Sequence, residues 1–414
     1  MGPVGSWRPG RCRVPRAAGR LRFVALALGA GLLLTACADP GALETSRPAS
    51  STPVHHGADS AASDGEGPTA EVAPAVAPLR DGERFVDVSL PVAYTPVAEP
   101  PGTDDYRCFV LDPGLARDSL VSGVDIKPGN PNVVHHVIVH KVDPDRVDEA
   151  TALESAEPDP GYSCFGGSGL ESAPGEGLDR ATWVGAWAPG GGERVLGEDL
   201  GIPLAHGSRL VVQMHYSLLG GGGEDRSTVR LRVADDDGTR AELETMLLPA
   251  PVELPCRERN QGGLCVRHRA VADVVDRFGD VGRTGDRLHF LCGKAEPGPT
   301  QSCTREFHEP GTIRAVSGHM HLLGKSITID VNAGTPDERR VLDIPVWDFD
   351  DQGAVPLDEP ALVEPGDTIT VTCTHDQGLR DLLPALQGVP DRYVVWGEGT
   401  TDEMCLGIVL LTRP

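Results

Sequence analysis

From about residue 81 onward, hydrophobic residues occur in short alternating or continuous runs separated by Gly, Pro and Asp. The runs have the lengths and the β-branched composition of strands, and turn-forming residues bound them. A long amphipathic helical pattern is not seen. The pattern therefore predicts an all-β fold. The clearest predicted strands are Val133–Val139, Arg209–Tyr216, Thr228–Val233, Ser326–Val331 and Asp367–Cys373.

The β-rich sequence divides near Leu248-Pro249-Ala250-Pro251, where proline density rises. We expect two antiparallel β-sandwich domains, residues 81–247 and 248–414. The segment before them, residues 37–80, is rich in Ala, Pro, Ser, Thr and Gly and poor in bulky apolar residues. Such a composition cannot bury enough surface to order itself, so it predicts a flexible, disordered linker.

The N-terminus predicts export. Six arginines precede the apolar run Phe23–Leu34, which is shorter than the roughly 20 residues of a membrane-spanning helix. Residues 1–36 therefore form a predicted signal peptide. The sequence Leu34-Thr35-Ala36-Cys37 resembles the lipobox of bacterial lipoproteins, in which the cysteine is lipidated. The alternative is an ordinary secretory signal cleaved near Ala36 or Ala38. We expect a bacterial cell-envelope protein, lipid-anchored at Cys37 on the periplasmic or outer-surface side, with no other membrane contact.

Charge and cysteine content refine this picture. Of the 414 residues, 61 are acidic and 37 basic, and the net charge of −24 deepens to −30 when the six signal-peptide arginines are removed. This balance argues against a nucleic-acid partner, which requires clustered basic residues. Ten cysteines become eight once Cys12 and Cys37 are set aside. An even number in an exported chain predicts four disulfides, whose pairing the count leaves open.

Histidines form a first cluster at His135-His136, in a predicted strand that also carries His140. Consecutive strand residues point to opposite faces. His135 and His136 could therefore share a metal ion only if the strand bends or the rings approach through different nitrogens. His136 and His140 share a face but are far apart for one ion.

Further candidate ligands lie in three other places. His215 stands alone between apolar strand residues, a context more typical of a structural histidine. His319 and His321 are two residues apart, so on a strand both imidazoles project from one face and could grip a metal together. Met404 by itself is typical of a residue that fills a gap in a core.

Taken in order, these clusters resemble the copper type II, ascorbate-dependent monooxygenase family, which includes dopamine beta-monooxygenase and peptidylglycine alpha-hydroxylating monooxygenase. The resemblance extends over roughly residues 84–412. It rests on V-H-H, W-A-P-G at Trp187–Gly190, Q-x-H-Y, H-x-H-x-x-G-K and D-E-M-C, with Tyr106-Arg107-Cys108 as a further landmark.

The resemblance implies two copper ions with different tasks. The first, an electron store, would be bound by His135, His136 and His215. The second, where oxygen binds and the substrate C–H bond is attacked, would be bound by His319, His321 and Met404, the catalytic set. A soft thioether favours Cu(I), in agreement with this division. Gln213 and Tyr216 would orient His215 or line the pocket wall, and Tyr106 matches a pocket tyrosine of the family.

The resemblance also implies two jelly-roll-like antiparallel sandwiches that face each other across a solvent-filled cleft. It suggests a disulfide between Cys373 and Cys405, and makes one between Cys108 and Cys164 plausible. For the remaining cysteines three pairings stay open. These are Cys256, Cys265, Cys292 and Cys303.

The implied activity is hydroxylation of an activated C–H carbon of a small organic substrate by O2 and an external reductant, which is ascorbate in animal members of the family. The donor used here is not identified. In the peptide-amidating branch an arginine binds the substrate carboxylate two residues before the first histidine of H-x-H. Ser317 occupies that position here, and Arg314 is out of register with it, so peptide amidation is disfavoured.

Two other functions are compatible with these residues. The chain could be a non-catalytic envelope copper-binding protein on the same fold, or a β-sandwich binding module, for example for carbohydrate, with structural histidines. A zinc hydrolase is disfavoured because methionine is a poor zinc ligand and no His-Glu-x-x-His helix is present.

Overall fold

Alternating burial along short segments of the chain produces a fold built mainly of antiparallel strands, which confirms the all-β prediction. The computed structural model describes residues 77–98, 102–170, 180–189, 191–260, 262–349 and 351–414. The predicted signal peptide, most of the linker, Cys37 and Gly190 lie outside these residues.

The strands of the N-terminal half are β1 (Glu83–Ser89), β2 (Asp104–Leu111), β3 (Ser119–Lys127), β4 (Val134–Val142), β5 (Tyr162–Ser163), β6 (Arg180–Ala181), β7 (Trp183–Trp187), β8 (Arg194–Val195), β9 (Leu200–Leu204), β10 (Arg209–Ser217), β11 (Thr228–Asp235) and β12 (Ala241–Pro249). Those of the C-terminal half are β13 (Glu253–Leu254), β14 (Thr300–Glu306), β15 (Gly311–His319), β16 (Gly324–Val331), β17 (Arg339–Ile344), β18 (Val355–Val363), β19 (Thr368–His375), β20 (Val394–Val395) and β21 (Leu406–Thr412).

Helices α1 (Val147–Ala156), α2 (Arg267–Phe278) and α3 (Thr284–Cys292) are additions that the strand pattern did not predict. In α2 the buried residues Ala270, Val271 and Val274 follow helical spacing and pack against Tyr393. This apolar stripe is short, and prolines and glycines flank it as they flank the predicted strands. The helix therefore did not stand out in the sequence.

The sheets pair face to face in each half of the chain. One long sheet runs in the order β1-β11-β3-β9-β12-β21-β15-β18, so it passes from the N-terminal strands to the C-terminal ones. A five-stranded sheet, β5-β2-β10-β4-β7, belongs to the N-terminal half, and a four-stranded sheet, β14-β19-β16-β17, to the C-terminal half. Each smaller sheet shares a hydrophobic core with its end of the long sheet.

The two cores divide close to the expected boundary between the halves. One core takes nearly all its residues from Val88 to Leu243, and the other from Leu248 to Leu411. The boundary drawn between residues 247 and 248 falls inside β12, whose pairing with β21 runs without interruption across it. The division into two domains stays a prediction, since all described residues belong to one compact unit.

The N-terminal edge of the fold starts earlier than residue 81. The main-chain oxygens of Ala77 and Pro78 accept hydrogen bonds from the buried guanidinium of Arg232, at 2.7 and 2.9 Å. Residues 77–80, which the sequence assigns to the linker, therefore contact the folded part of the chain.

Four disulfides form, as the cysteine count predicts. Cys373–Cys405 is the bridge that the family resemblance suggested, and Cys108–Cys164 is the bridge expected as plausible for the N-terminal half. The remaining cysteines pair locally, Cys256 with Cys265 and Cys292 with Cys303. The bridges favour an oxidising environment outside the cytosol. Within the described residues, no helix combines the length and the hydropathy needed to cross a bilayer.

Candidate metal centre

His135 and His136 reach the same point because strand β4 is irregular there. His215 of β10 pairs with His136, but the next residue, Tyr216, pairs with Val134, so His135 is an extra residue in the ladder. Such a β-bulge turns neighbouring side chains out of their alternation. The strand therefore bends, which is one of the two arrangements that would let His135 and His136 share a metal. Both rings approach His215 through Nδ1.

Three imidazoles converge at this bulge. Nδ1 of His215 lies 3.2 Å from Nδ1 of His135 and 3.1 Å from Nδ1 of His136. Metal–nitrogen bonds of about 2.0–2.1 Å at tetrahedral angles would place nitrogens about 3.3–3.4 Å apart. Both distances from His215 are therefore close to the spacing of two ligands to one ion, and the ligand atoms of all three residues lie within 4.8 Å of one another. These residues form the triad site.

Asp104 orients the ring of His215. Its Oδ1 accepts from Nε2 of His215 at 2.8 Å and from the hydroxyl of Thr400 at 2.6 Å. With its proton on Nε2, donated to the carboxylate, the ring keeps the lone pair of Nδ1 for a metal. A carboxylate is a usual hydrogen-bond partner of a metal-binding histidine. Asp104 was not predicted from the sequence. The signal available was its position two residues before Tyr106, on the same face of β2.

Tyr106 lies next to His215. The two residues are paired across β2 and β10, and their rings stack with centroids 4.1 Å apart. The Tyr106 hydroxyl lies 3.2 Å from Nδ1 of His215 and donates to the main-chain oxygen of Glu398 at 2.6 Å. It therefore connects the triad site to the C-terminal half.

Gln213 and Tyr216 make their side-chain hydrogen bonds to residues other than His215, and their assignment as pocket or orienting residues stays a prediction. The amide of Gln213 donates to the main-chain oxygen of Gly167 at 2.6 Å, in the loop that follows Cys164. The hydroxyl of Tyr216 donates to Asp225 at 3.1 Å on the core side of the strand. Alternation along β10 sends Tyr216 away from the triad site, and the length of the glutamine carries its amide past His215.

Burial keeps the candidate ligands neutral. Desolvation lowers the pKa of His135 to about 4 and the pKa values of His136 and His215 well below their ordinary value. It lowers the pKa values of His319 and His321 in the same way. A metal binds the neutral imidazole, so these rings have no proton to lose at neutral pH.

His319 and His321 lie at the end of β15, with ring centroids 5.1 Å apart. Met320 between them is fully buried in the C-terminal core, so the alternation that the sequence predicted is present. Gly324 closes the turn: a Cβ there would lie 2.7 Å from the ring of Trp347 and 2.9 Å from the Cβ of Met320. The spacing H-x-H-x-x-G thus follows from a tight turn in a packed core.

A loop between β17 and β18 supplies two contacts that the sequence did not reveal. Oε1 of Gln352 lies 2.6 Å from Nδ1 of His319. This contact leaves Nε2 as the candidate metal-binding nitrogen of that ring. Phe349 stacks on the ring of His135, with centroids 4.8 Å apart. The loop therefore contacts both histidine clusters.

Met404 directly follows Glu403, whose carboxylate binds the main-chain N–H of His321, but the surroundings of the Met404 side chain are apolar. The ladder between β15 and β21 ends at the pair His319 and Leu406, two residues short of His321 and of Met404. The Met404 side chain is buried with Leu288, Trp396 and Leu406. Its assignment as a ligand stays a prediction.

The two histidine clusters lie side by side, which differs from the solvent-filled cleft expected between them. The ring centroids of His136 and His319 are 6.0 Å apart at an interplanar angle of 80°. Hydrogen bonds from Thr400 to Asp104 and from Tyr106 to Glu398 join the same two regions. A cavity of about 1760 Å³ does open nearby, but it is lined by Asp104, Tyr106, Phe165 and Phe278, not by the second cluster.

Donor chemistry and geometry fit a metal at the triad site. His135, His136 and His215 offer ligand atoms that all lie within 4.8 Å of one another. Nε2 of His135 is buried without a hydrogen-bond partner among the described residues. Three neutral imidazoles suit copper, zinc or nickel. His140, in contrast, has Nδ1 3.4 Å from the hydroxyl of Thr182 and its ring edge to face with Trp183, and it is not one of these three candidate ligands.

Comparison with known proteins does not identify a family. No family model matches the chain, and no curated protein matches it. Among solved structures, a Paenibacillus xanthan lyase is similar at 11% identity and a TM-score of 0.18, over 76% of this chain and 23% of the lyase. Allantoicase matches at 10% identity and 0.17, over 80% and 90% of the two chains. Tomato vicilin matches at 7% and 0.15, over 80% and 74%. Scores this low carry no argument about function.

Proposed function

We propose that the protein is a copper-dependent monooxygenase that hydroxylates an activated C–H carbon of a small organic substrate. The observation that carries the proposal is the meeting of two histidine clusters from opposite halves of the chain, with His136 and His319 at 6.0 Å between ring centroids. The order of the motifs along the sequence, from V-H-H to D-E-M-C, supports the same family assignment.

Copper fits the proposed pair of sites better than zinc does. His135, His136 and His215 suit copper in both oxidation states, and a thioether from Met404 beside His319 and His321 would favour Cu(I). Two such ions would each supply one electron, so that with two protons and an external reductant one O2 yields a hydroxylated product and one water.

The chain's own residues would prepare these sites. Asp104 and Gln352 hold the outer nitrogens of His215 and His319 and so direct the opposite nitrogens inward. Phe349 covers the ring of His135 and keeps bulk water from it. Fixed, dry ligands lower the reorganisation that electron transfer and oxygen chemistry require.

The structure around H-x-H disfavours a peptide carboxylate as substrate. Ser317 is buried at the position where the peptide-amidating branch has an arginine. The guanidinium of Arg314 is paired with Asp199. A glycine-extended peptide would therefore lack its bidentate anchor, and a small uncharged or amine-bearing molecule is the better candidate.

The proposed location is the outer side of a bacterial membrane, with a lipid on Cys37 as anchor. Four disulfides agree with an oxidising compartment. In that place the reductant must come from outside the protein, and we leave its identity open.

Elemental analysis of the copper-loaded protein, with electron paramagnetic resonance before and after reduction, tests the proposal. We expect two copper ions per chain and, with a chemical reductant and a panel of phenethylamines and small amines, oxygen uptake coupled to a hydroxylated product carrying label from ¹⁸O2. A variant at exposed His308, His308→Ala, serves as the control. Two bound coppers without any hydroxylation would favour the non-catalytic copper-binding protein. A chain that holds no copper would favour the β-sandwich binding module.

A further inference from the structure

Glu403 occupies a point where three separate parts of the fold meet. Its side chain is fully buried, and it directly precedes Met404 in the chain. We infer that Glu403 is a positioning residue that fixes His321 relative to Met404 and so determines the geometry of the second metal site. The inference rests on the proposed function, since that function makes His321 and Met404 ligands.

The first contact is with the turn that carries His321. The main-chain N–H of His321 donates to Oε2 of Glu403 at 3.2 Å, and the N–H of Leu323 donates to Oε1. Both oxygens of one carboxylate therefore bind one turn. Because these amides are buried, removing their acceptor would leave their N–H groups without a hydrogen bond, which destabilises the turn.

The second contact is with His375, the last residue of β19. Nε2 of His375 lies 3.3 Å from Oε2 of Glu403 and 3.2 Å from the main-chain oxygen of Met404. A single N–H can be shared between these two acceptors. His375 thus holds the Glu403–Met404 segment from the opposite side to the His321 turn.

Charge explains why a glutamate can serve here. Among the described residues, no arginine or lysine lies within 4.0 Å of the Glu403 carboxylate, and the basic side chain beside it is His375, with Nε2 at 3.3 Å. A buried carboxylate is tolerated when several N–H groups donate to it. Such charge-assisted hydrogen bonds are about twice as strong as neutral ones. The turn and the methionine segment are therefore held by stronger bonds than an ordinary β-turn would supply.

Placement matters more than stability for this carboxylate. A histidine ring and a thioether on different segments can share one ion only if both segments are held to within about 0.5 Å. Glu403 links these segments, because its carboxylate binds the N–H groups of His321 and Leu323 and its main chain is bonded to Met404. Among the described residues, Glu403 is the side chain that hydrogen-bonds to the turn of His321 and Leu323.

The experiment compares Glu403→Gln and Glu403→Asp with wild type and with Asp225→Asn. Asp225 is a matched control, since it is about as buried and accepts a main-chain N–H, from Asn130, but has no hydrogen bond to a histidine of either cluster. Two quantities are measured: amide hydrogen exchange of His321 and Leu323 in metal-free protein, and Cu(I) affinity of each site by competition with a cuprous chelator.

We expect Glu403→Gln to accelerate exchange at both amides, and to weaken Cu(I) binding at the second site about 10–100-fold while the first site changes less than about twofold. X-ray absorption should show weaker sulfur scattering from the copper that remains. Asp225→Asn should change none of these. Second-site affinity within about twofold of wild type, with faster exchange at the amides, would overturn the inference, since Glu403 would then hold the turn without placing ligands.

If Glu403→Gln does not fold, Glu403→Asp decides, because it keeps the charge and withdraws the carboxylate by one methylene. Retained first-site binding with a weakened second site supports the inference; two unaltered sites refute it. The proposed function fails separately, when wild type itself binds no second copper.

Discussion

The imidazoles of His136 and His319 lie edge to face with centroids 6.0 Å apart, one from β4 in the N-terminal half and one from β15 in the C-terminal half. Each ring also has a contact in its own half, His136 with His215 and His319 with Gln352. The two candidate metal sites are thus neighbours rather than partners across a wide gap.

This proximity predicts magnetic interaction between the sites. Dipolar coupling between two Cu(II) ions grows steeply as their distance falls, so protein loaded at both sites should show a broadened spectrum in electron paramagnetic resonance. His319→Ala, which keeps only the triad site, should show narrow lines at the same copper content per site. Equally narrow lines in wild type with two coppers bound would mean that the clusters separate in solution.

Asp104 gives a second prediction. Asp104→Asn removes the charged partner of His215 Nε2 and should weaken copper binding at the triad site about 10–100-fold. The matched control is Asp105→Asn, because Asp105 lies next along β2 but accepts from the hydroxyl of Tyr94 and the N–H of Val97. Affinities are measured by chelator competition. Equal losses in both variants would show that the effect comes from the strand, not from His215.

Met404 gives a third. Met404→Ile should abolish substrate-dependent oxygen consumption and leave copper binding at the triad site intact, because isoleucine fits the apolar surroundings of Trp396 and Leu406 but provides no sulfur. Met214→Ile in the N-terminal core is the control, since Met214 is fully buried and has no proposed ligand role. Unchanged oxygen consumption in Met404→Ile would rule out the thioether as a ligand.

Local sequence patterns predicted the strands and the candidate ligands, because hydrophobic alternation and rare histidines are visible residue by residue. The convergence of His135 and His136 was not predictable in this way. It depends on a bulge whose position is set by the register between β4 and β10, a property of two strands together.

The partners of the ligands were missed for a related reason. Asp104, Gln352 and Glu403 are common polar residues far along the chain from the histidines they contact. Chain proximity suggested Gln213 and Tyr216 instead, and both make their side-chain hydrogen bonds to residues other than His215. Only the fold distinguishes a polar residue that contacts a site from one that stands beside it in sequence.

The bridge between Cys373 and Cys405 connects stability to the second site. It closes a segment with a separation of 32 residues, against 9 for Cys256 and Cys265. Loop entropy predicts a loss of roughly 3–4 kcal/mol for a Cys373→Ala, Cys405→Ala double variant and roughly 2–3 kcal/mol for the Cys256→Ala, Cys265→Ala control. Denaturant unfolding measures both.

Copper affinity at the second site also distinguishes the Cys373/Cys405 double variant from the Cys256/Cys265 control. Cys405 follows Met404, so only the first double variant should lose second-site affinity. An equal loss of affinity in the control would show that general loosening, and not the position of Met404, is responsible.

His140 predicts how the metal-free protein responds to acid. Burial lowers the pKa of its imidazole to about 4 from an ordinary value of 6.5, and the side chain is 4% exposed. Between pH 6.5 and 4, His140 is protonated in the unfolded chain but stays neutral in the folded chain. The free energy of unfolding therefore falls as pH drops from 6.5 toward 4, by up to about 1.4 kcal/mol per pH unit. At neutral pH this contribution vanishes.

His140→Leu should remove that loss. Between pH 7.5 and 4.5 the wild type should lose about 2–3 kcal/mol more than the variant, as measured by urea unfolding of chelator-treated protein. Groups that titrate in both proteins cancel in this comparison. His308→Gln is the control, because the His308 side chain is 82% exposed and should not change the slope. Identical acid losses in wild type and His140→Leu would mean that His140 takes up its proton in the folded protein, through an opening of the strand pair β4–β7 that shields it.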